Sequence, residues 1–261
     1  LKNTFHQLKS FITFWLDAVD AHSLHSPFLF DLYVNTLKAR KPNLELTRVE
    51  QVRQELLFDN RSAGVTDFGS GASSGEGSTR KISAIARTSL SPKKYSLLYR
   101  RIIQRYDCRN IIELGTSLGI NTLYLAASEN CRVLTFEGSS AIAAMAKVLF
   151  DKFQSTNIEL VPGNIDESLP RNIQSIDRVD FALIDANHRY DPTVNYFNLL
   201  VQKIHDQSIM VLDDIHYSCE MEKAWVTIQK NPKVSLSVDI FRCGIVFFNP
   251  SLGKQHVVLQ L

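Results

Sequence analysis

Hydrophobic positions along this chain follow two different periods. In the first twenty residues Phe5, Leu8, Ile12, Trp15, Leu16 and Val19 recur at intervals of three and four, the spacing of an amphipathic helix with one packing stripe. Phe11 and Phe14 lie off that stripe and predict a second contact surface, against the rest of the chain or another subunit, because clustered exposed aromatics are unfavourable in water. The turn at Ala21 to Pro27 ends this helix, helical spacing resumes over Phe28 to Leu37, and a polar helix is expected over Arg48 to Leu57. From Tyr95 onward the pattern changes. Short apolar runs at Asn110 to Leu114, Arg132 to Glu137, Ile158 to Val161, Val179 to Asp185 and Ser208 to Asp213 alternate with helical stretches. Strands linked by helices predict a parallel sheet covered on both faces, the doubly wound α/β class. Two further runs, Val234 to Phe241 and Gly244 to Phe248, are too close to be joined by a helix. They predict an antiparallel hairpin at the C-terminal end of a mostly parallel seven-stranded sheet.

Residues 60 to 94 separate the two regimes. Gly64, Gly69, Gly71, Gly75 and Gly77, interspersed with serines, form a flexible segment, and the basic piece Arg80, Lys81, Ile82, Ile85, Ala86, Arg87 and the Ser91-Pro92 breaker follow it. The division expected is a helical region over 1–94, serving as lid, substrate or oligomerisation region, and an α/β domain over 95–261. Asp67-Phe-Gly-Ser-Gly reads superficially as a cofactor turn. No second strand with a terminal carboxylate follows it at the right distance, so the Gly64 to Gly77 stretch is read as a loop that orders over the active site.

Composition narrows the classes. With 44% hydrophobic residues in 261 there is ample material for a core, and 29 Lys+Arg against 27 Asp+Glu supply no global basic field, so nucleic acid is not indicated. Cys108, Cys131, Cys219 and Cys243 contain no C-x-x-C pair, which argues against a disulfide framework or structural zinc and for a reducing compartment. No run approaches the roughly 18 to 20 apolar residues of a membrane span. Phe11 to Leu16, six residues running into Asp17, is too short for a signal-peptide core. The expectation is a cytoplasmic protein without membrane association; opening on Leu1 rather than Met leaves room for a longer native N-terminus.

The strongest local signal is Ile111-Ile-Glu-Leu-Gly-Thr-Ser-Leu-Gly119, a strand feeding a glycine turn that opens a helix. Such a turn lets a ligand approach backbone N–H groups at the helix N-terminus. The next strand ends in Glu137, about 22 residues after Gly115, near the spacing of a carboxylate that binds ribose hydroxyls. A ribose-containing cofactor is therefore expected. The spacing E-x-G-x-x-x-G differs from the G-x-G-x-x-G of dinucleotide sites, and the residues resemble the class I S-adenosylmethionine-dependent methyltransferases, which have a Rossmann-like fold. That resemblance implies that Gly115, Thr116, Ser117 and Gly119 line the methionine and ribose, that Glu113 lies beneath the methionine amino group, and that Glu137 with Gly138 holds the ribose. Gly163-Asn-Ile-Asp166 is similar to the family's loop after the third strand, where Asn164 or Asp166 would meet the adenine amino group and Ile165 its face. The alternative for this loop is an ordinary helix-capping turn.

Ligands of open α/β sheets bind at the carboxyl ends of the strands, which directs attention to Asp185, His188, Asp213 and Asp214. Three carboxylates there repel unless a cation, a proton or a ligand amine compensates. The pattern resembles the metal-dependent O-methyltransferases of the catechol and caffeoyl-CoA type. On that match Asp185, Asp213 and Asp214 would bind Mg²⁺ or Ca²⁺, and His188 would be the general base, a role suited to an ordinary histidine pKa of roughly 6.5. This chain departs from the pattern twice, with Asp214 in place of Asn and His188 in place of Lys. The alternative leaves Asp185 contacting the cofactor or orienting a loop, and Asp213 and Asp214 capping the next helix. His216 is a second candidate base.

The resemblance thus implies an S-adenosylmethionine-dependent methyltransferase acting on oxygen of a small-molecule acceptor, with Asp185 and His188 as catalytic residues, while the aromatics of the N-terminal helices leave room for a homodimer formed through them. Two other readings stand beside it: an NAD-dependent oxidoreductase, disfavoured by the glycine spacing, and a non-catalytic cofactor-binding module whose helical N-terminus docks a partner.

Overall fold

A computed structural model describes residues 2–39, 46–66, 77–128 and 130–261. The first segment forms helices α1 (Lys2–Asp17) and α2 (Pro27–Asp31), the latter running on as a π-helical turn over Leu32–Leu37. Next come α3 (Thr47–Phe58), strands β1 (Ser62–Thr66) and β2 (Gly77–Lys81), then α4 (Ile82–Ser89) and α5 (Lys93–Arg105). The alternating region comprises β3 (Asn110–Leu114), α6 (Ile120–Ala126), β4 (Arg132–Glu137), α7 (Ser140–Lys152), β5 (Ile158–Pro162) and α8 (Ile165–Asn172). It continues through β6 (Val179–Ile184), α9 (Tyr190–Leu200), β7 (Ile204–Asp213), α10 (Cys219–Gln229), β8 (Leu236–Asp239), β9 (Cys243–Phe247) and β10 (Gln255–Val258). The main sheet has eight strands in the order β10-β8-β9-β7-β6-β3-β4-β5. The mostly parallel α/β sheet with its antiparallel β8–β9 hairpin is as expected, with one strand more: β10 pairs parallel to β8.

Packing divides the chain into two compact units, Arg40–Asn172 and Leu1–Ala39 with Ile173–Leu261, a division that does not fall at residue 94. In Arg40–Asn172, β3, β4 and β5 run parallel, with Ile111 opposite Val133 and Phe136 opposite Val161. Their helices close over a core containing Ile120, Leu123, Tyr124, Ala146 and Phe150, joined by Val49 and Val52 of α3. β1 and β2 form an antiparallel pair in a stretch read from sequence as flexible. Gly69, Gly71 and Gly75, with the D-x-G-x-G string at Asp67, lie outside the described residues.

In the other unit β6 and β7 are parallel and β9 pairs antiparallel with both β7 and β8. β9 admits no side chain at Gly244: a Cβ there would meet the Trp225 ring of α10 at 2.6 Å. Helix α1 packs opposite to expectation. The stripe Phe5, Leu8, Ile12, Trp15 and Leu16 faces solvent, with Phe5 at 74% and Leu16 at 69% exposure. The inward face is polar: Ser10 Oγ donates to Glu222 at 3.3 Å and Gln7 Nε2 to the Tyr217 carbonyl at 3.0 Å. The off-stripe aromatics supply the apolar contact, Phe11 and Phe14 packing on Phe241 with ring centroids 5.2 and 5.3 Å apart. A short parallel bridge from Val19 to Leu259 ties the following segment to the end of the chain.

Candidate active site

In Arg40–Asn172 the feature to inspect is the turn between β3 and α6. Gly115 (φ 103°), Ser117 (φ 50°) and Gly119 (φ 81°) all have left-handed backbone, which lets the chain reverse within five residues. Its amides are already used. Gly115 and Thr116 N–H both donate to the Phe136 carbonyl at the end of β4, Ser117 N–H donates to Glu137 Oε2 at 2.8 Å, and Gly119 N–H donates back to Thr116. Gly119 also has a packing role, because a Cβ on it would lie 2.7 Å from the Phe150 ring of α7.

Glu137, half-buried at the end of β4, accepts from Ser117 N–H and, at 2.9 Å, from Ser139 N–H, so its carboxylate is fixed against the turn; Gly138 occupies the bend beyond it. Behind the turn Glu113 is completely buried. It accepts hydrogen bonds from Asn121 Nδ2 (2.9 Å), Thr122 Oγ1 (2.5 Å) and Thr135 Oγ1 (2.7 Å), and Thr135 in turn bonds Thr116 at 2.6 Å. Burial pushes the Glu113 carboxyl up to about 7 against the pull of those three donors. It braces β3, β4 and α6 around the turn. In the loop after β5, Asn164 Oδ1 accepts from Asp166 N–H at 3.1 Å and the Asn164 carbonyl from Glu167 and Ser168, a cap for α8; Ile165 is buried.

The other unit holds the acidic residues. Asp185 follows β6, and His188 turns back so that its Nε2 lies 3.7 Å from Asp185 Oδ1. Asp213 ends β7 and is fully buried; Asp214 is next to it. The antiparallel register sets Cys243 opposite Asp213, which brings in a residue the sequence reading did not use, Arg242. Its Nε donates to Asp213 Oδ1 at 3.0 Å and its Nη2 to Oδ2 at 2.8 Å, with Asp214 Oδ1 3.7 Å from the same nitrogen. Burial and the Asp214 charge push the Asp213 carboxyl upward and Arg242 pulls it back. Burial would lower the Arg242 value, but Asp213, Asp214 and Asp185 together hold it well above ordinary. The two-point contact is that of an ion pair.

Backbone strain concentrates here too. Asn187 (φ 67°), His188 (φ 51°), Asp214 (φ 54°) and Phe241 (φ 70°) are non-glycine residues in the left-handed region, a cost borne where neighbours impose it. Among the side-chain atoms that are buried without a hydrogen-bond partner are His188 Nδ1 and Asn187 Oδ1. The second candidate base, His216, is committed elsewhere: Nε2 is 2.8 Å from Asp239 Oδ2 and Nδ1 3.2 Å from Glu222 Oε1. Among the described residues no group of three or more His, Cys, Asp or Glu is arranged to hold a metal ion, so Asp185, Asp213 and Asp214 do not assemble as the expected ligand set.

Residues 112–215, spanning β3 through β7, match a family model described as a methyltransferase domain. That segment is similar to methyltransferase domains. Over 131 residues it is 27% identical to a catechol O-methyltransferase of Niastella koreensis, an overlap of 49% of this chain and 58% of that protein. Solved methyltransferases share the fold. An O-methyltransferase from Bacillus cereus in complex with SAH superposes with a TM-score of 0.57 at 18% identity, covering 84% of this chain and 97% of that one. An O-methyltransferase of tomaymycin synthesis from Streptomyces achromogenes, in complex with SAM, superposes at 0.55 with 14% identity, covering 84% and 95%. The matched segment contains Glu113, the glycine turn, Glu137, Asp185, His188, Asp213 and Asp214, whereas Arg242 lies beyond it.

Proposed function

We propose that this protein is an S-adenosylmethionine-dependent methyltransferase that methylates an oxygen atom of a small-molecule acceptor. One observation carries the choice of cofactor. A dinucleotide pyrophosphate is met by the amides of the glycine turn as well as by the helix it opens. In this turn the amides of Gly115, Thr116, Ser117 and Gly119 are bonded internally, while a carboxylate stands fixed at the end of β4. Such a site suits a ligand with ribose hydroxyls and no phosphate. Glu137 with Gly138 would take the ribose, Gly115 to Gly119 would form the floor for the methionine part over the Glu113 brace, and Asn164, Ile165 and Asp166 would border the adenine. When bound, S-adenosylmethionine supplies an electrophilic methyl group on its sulfonium. His188, whose Nε2 lies 3.7 Å from Asp185 Oδ1, would receive the acceptor's hydroxyl proton.

Four separate thiols fit a reducing cytoplasm. The exposed stripe of α1 fits burial against a second copy of the chain, because a contiguous row of large apolar side chains in water is unfavourable. Titration calorimetry with S-adenosylmethionine, S-adenosylhomocysteine and NAD tests the main proposal. Binding of the two sulfur ligands and not of NAD is expected; NAD binding with no response to either sulfur ligand would overturn it.

A further inference from the structure

Three carboxylates at the ends of β6 and β7 require positive charge, and in this chain a side chain provides it. Arg242 stands in the tight turn between β8 and β9, where Phe241 is held at φ 70° and the Arg242 carbonyl accepts from Ile215 N–H. Both ends of its contact with Asp213 are made, Asp213 is fully buried, and Asp214 lies 3.7 Å from the same guanidinium. The donor set therefore does not fit a divalent ion: Asp213, the carboxylate at its centre, is fully buried and held by Arg242 on both oxygens. We propose that Arg242 is the resident cation of this site and that methyl transfer by this protein proceeds without a divalent metal. The reaction in this statement rests on the methyltransferase reading; the charge arrangement does not.

A guanidinium and a metal ion differ in what they do for an acceptor. A metal binds the hydroxyl oxygen directly and acidifies it. Arginine neutralises and positions, but stays protonated and adds no Lewis acidity. Proton removal then rests on the protein's own base, a role for which His188 stands beside Asp185. Arg242 is in this sense a positioning residue, acting through Asp213.

Paramagnetic Mn²⁺ reports directly on the charge arrangement, since the free ion's resonance amplitude falls when protein takes it up. Wild-type protein is expected to leave the signal at the level of buffer and to melt at the same temperature with or without Mn²⁺. Arg242→Ala, which leaves a buried carboxylate uncompensated, is expected to melt lower by roughly 10 °C and to recover part of that loss with Mn²⁺. Uptake of Mn²⁺ by the wild type, abolished by Asp213→Asn, would overturn the proposal, as would an Arg242→Ala protein that melts like the wild type. If Arg242→Ala does not fold, the wild-type titration still decides. Calorimetry with S-adenosylhomocysteine on the same preparation separates the two readings. Metal indifference with ligand binding supports both; metal indifference without ligand binding upholds the Arg242 cation and removes the reaction assigned to it.

Discussion

Glu113 shows how a single buried side chain sets a pH dependence. Its carboxyl rises from an ordinary 4.5 to about 7 in the folded protein, so the folded state binds the proton more tightly than the unfolded one. The associated stability is complete below about pH 4.5 and is lost as pH climbs through 7, a loss of roughly 3 kcal/mol. Glu113→Gln removes that titration. Its amide nitrogen has a partner available, because Asn121 Oδ1 is buried and unbonded, and a flipped Asn121 can accept from it. Urea melts of Glu113→Gln are therefore expected to lose markedly less stability between pH 5 and 7 than those of the wild type. A wild-type slope preserved in the variant would assign the titration elsewhere.

Elements hold the site through close approach and through charge. Gly119 allows α6 to lie against α7, and a methyl group there meets Phe150 at 2.7 Å on a backbone with φ 81°. Gly119→Ala is expected to lose about 2–4 kcal/mol in urea unfolding, from overpacking plus left-handed strain. Helix α1 is anchored by charge instead. Glu222 of α10 accepts from Ser10 and lies 3.5 Å from His6, and it also faces His216, whose other nitrogen meets Asp239. Burial lowers the His216 pKa, but Asp239 and Glu222 more than reverse this and leave it raised. The stability it contributes is full below the ordinary histidine value near 6.5 and fades as pH rises through the higher folded value. Hydrogen exchange of the α1 amides is expected to quicken as pH rises above about 6.5 beyond the intrinsic rate change, and His216→Asn should remove that excess.

Elements also differ in how legible they were. β3 and β4 match their sequence boundaries because each is an apolar run with a polar stop, buried in a parallel sheet where nothing competes with that pattern. β1 and β2 carry Ser-Ala-Gly-Val-Thr and Gly-Ser-Thr-Arg-Lys, too polar to announce a strand, and only their pairing with each other makes them strands. The α1 stripe was visible as a stripe, but periodicity does not say which face is covered. The partners of its polar face, Tyr217, Cys219 and Glu222, are some 200 residues away. Arg242 went unread for the same reason. In sequence it is a turn residue, and only the β7–β9 register makes it the counter-charge of Asp213.

For the whole molecule, the inverted α1 bears on assembly. Size-exclusion chromatography with light scattering is expected to show a dimer, and Trp15→Glu, which charges an exposed residue without touching the inward face, should give a folded monomer. A wild-type monomer at all accessible concentrations would remove the proposed pairing. Function turns on whether the Gly115 to Gly119 turn and Glu137 form a site for a ribose-bearing, phosphate-free cofactor. Calorimetric titration of S-adenosylhomocysteine into wild type and Glu137→Ala tests it most directly. One site per chain is expected in the wild type and an affinity at least about tenfold weaker in the variant, the loss of one charge-assisted hydrogen bond. Equal affinity in the two proteins would contradict it.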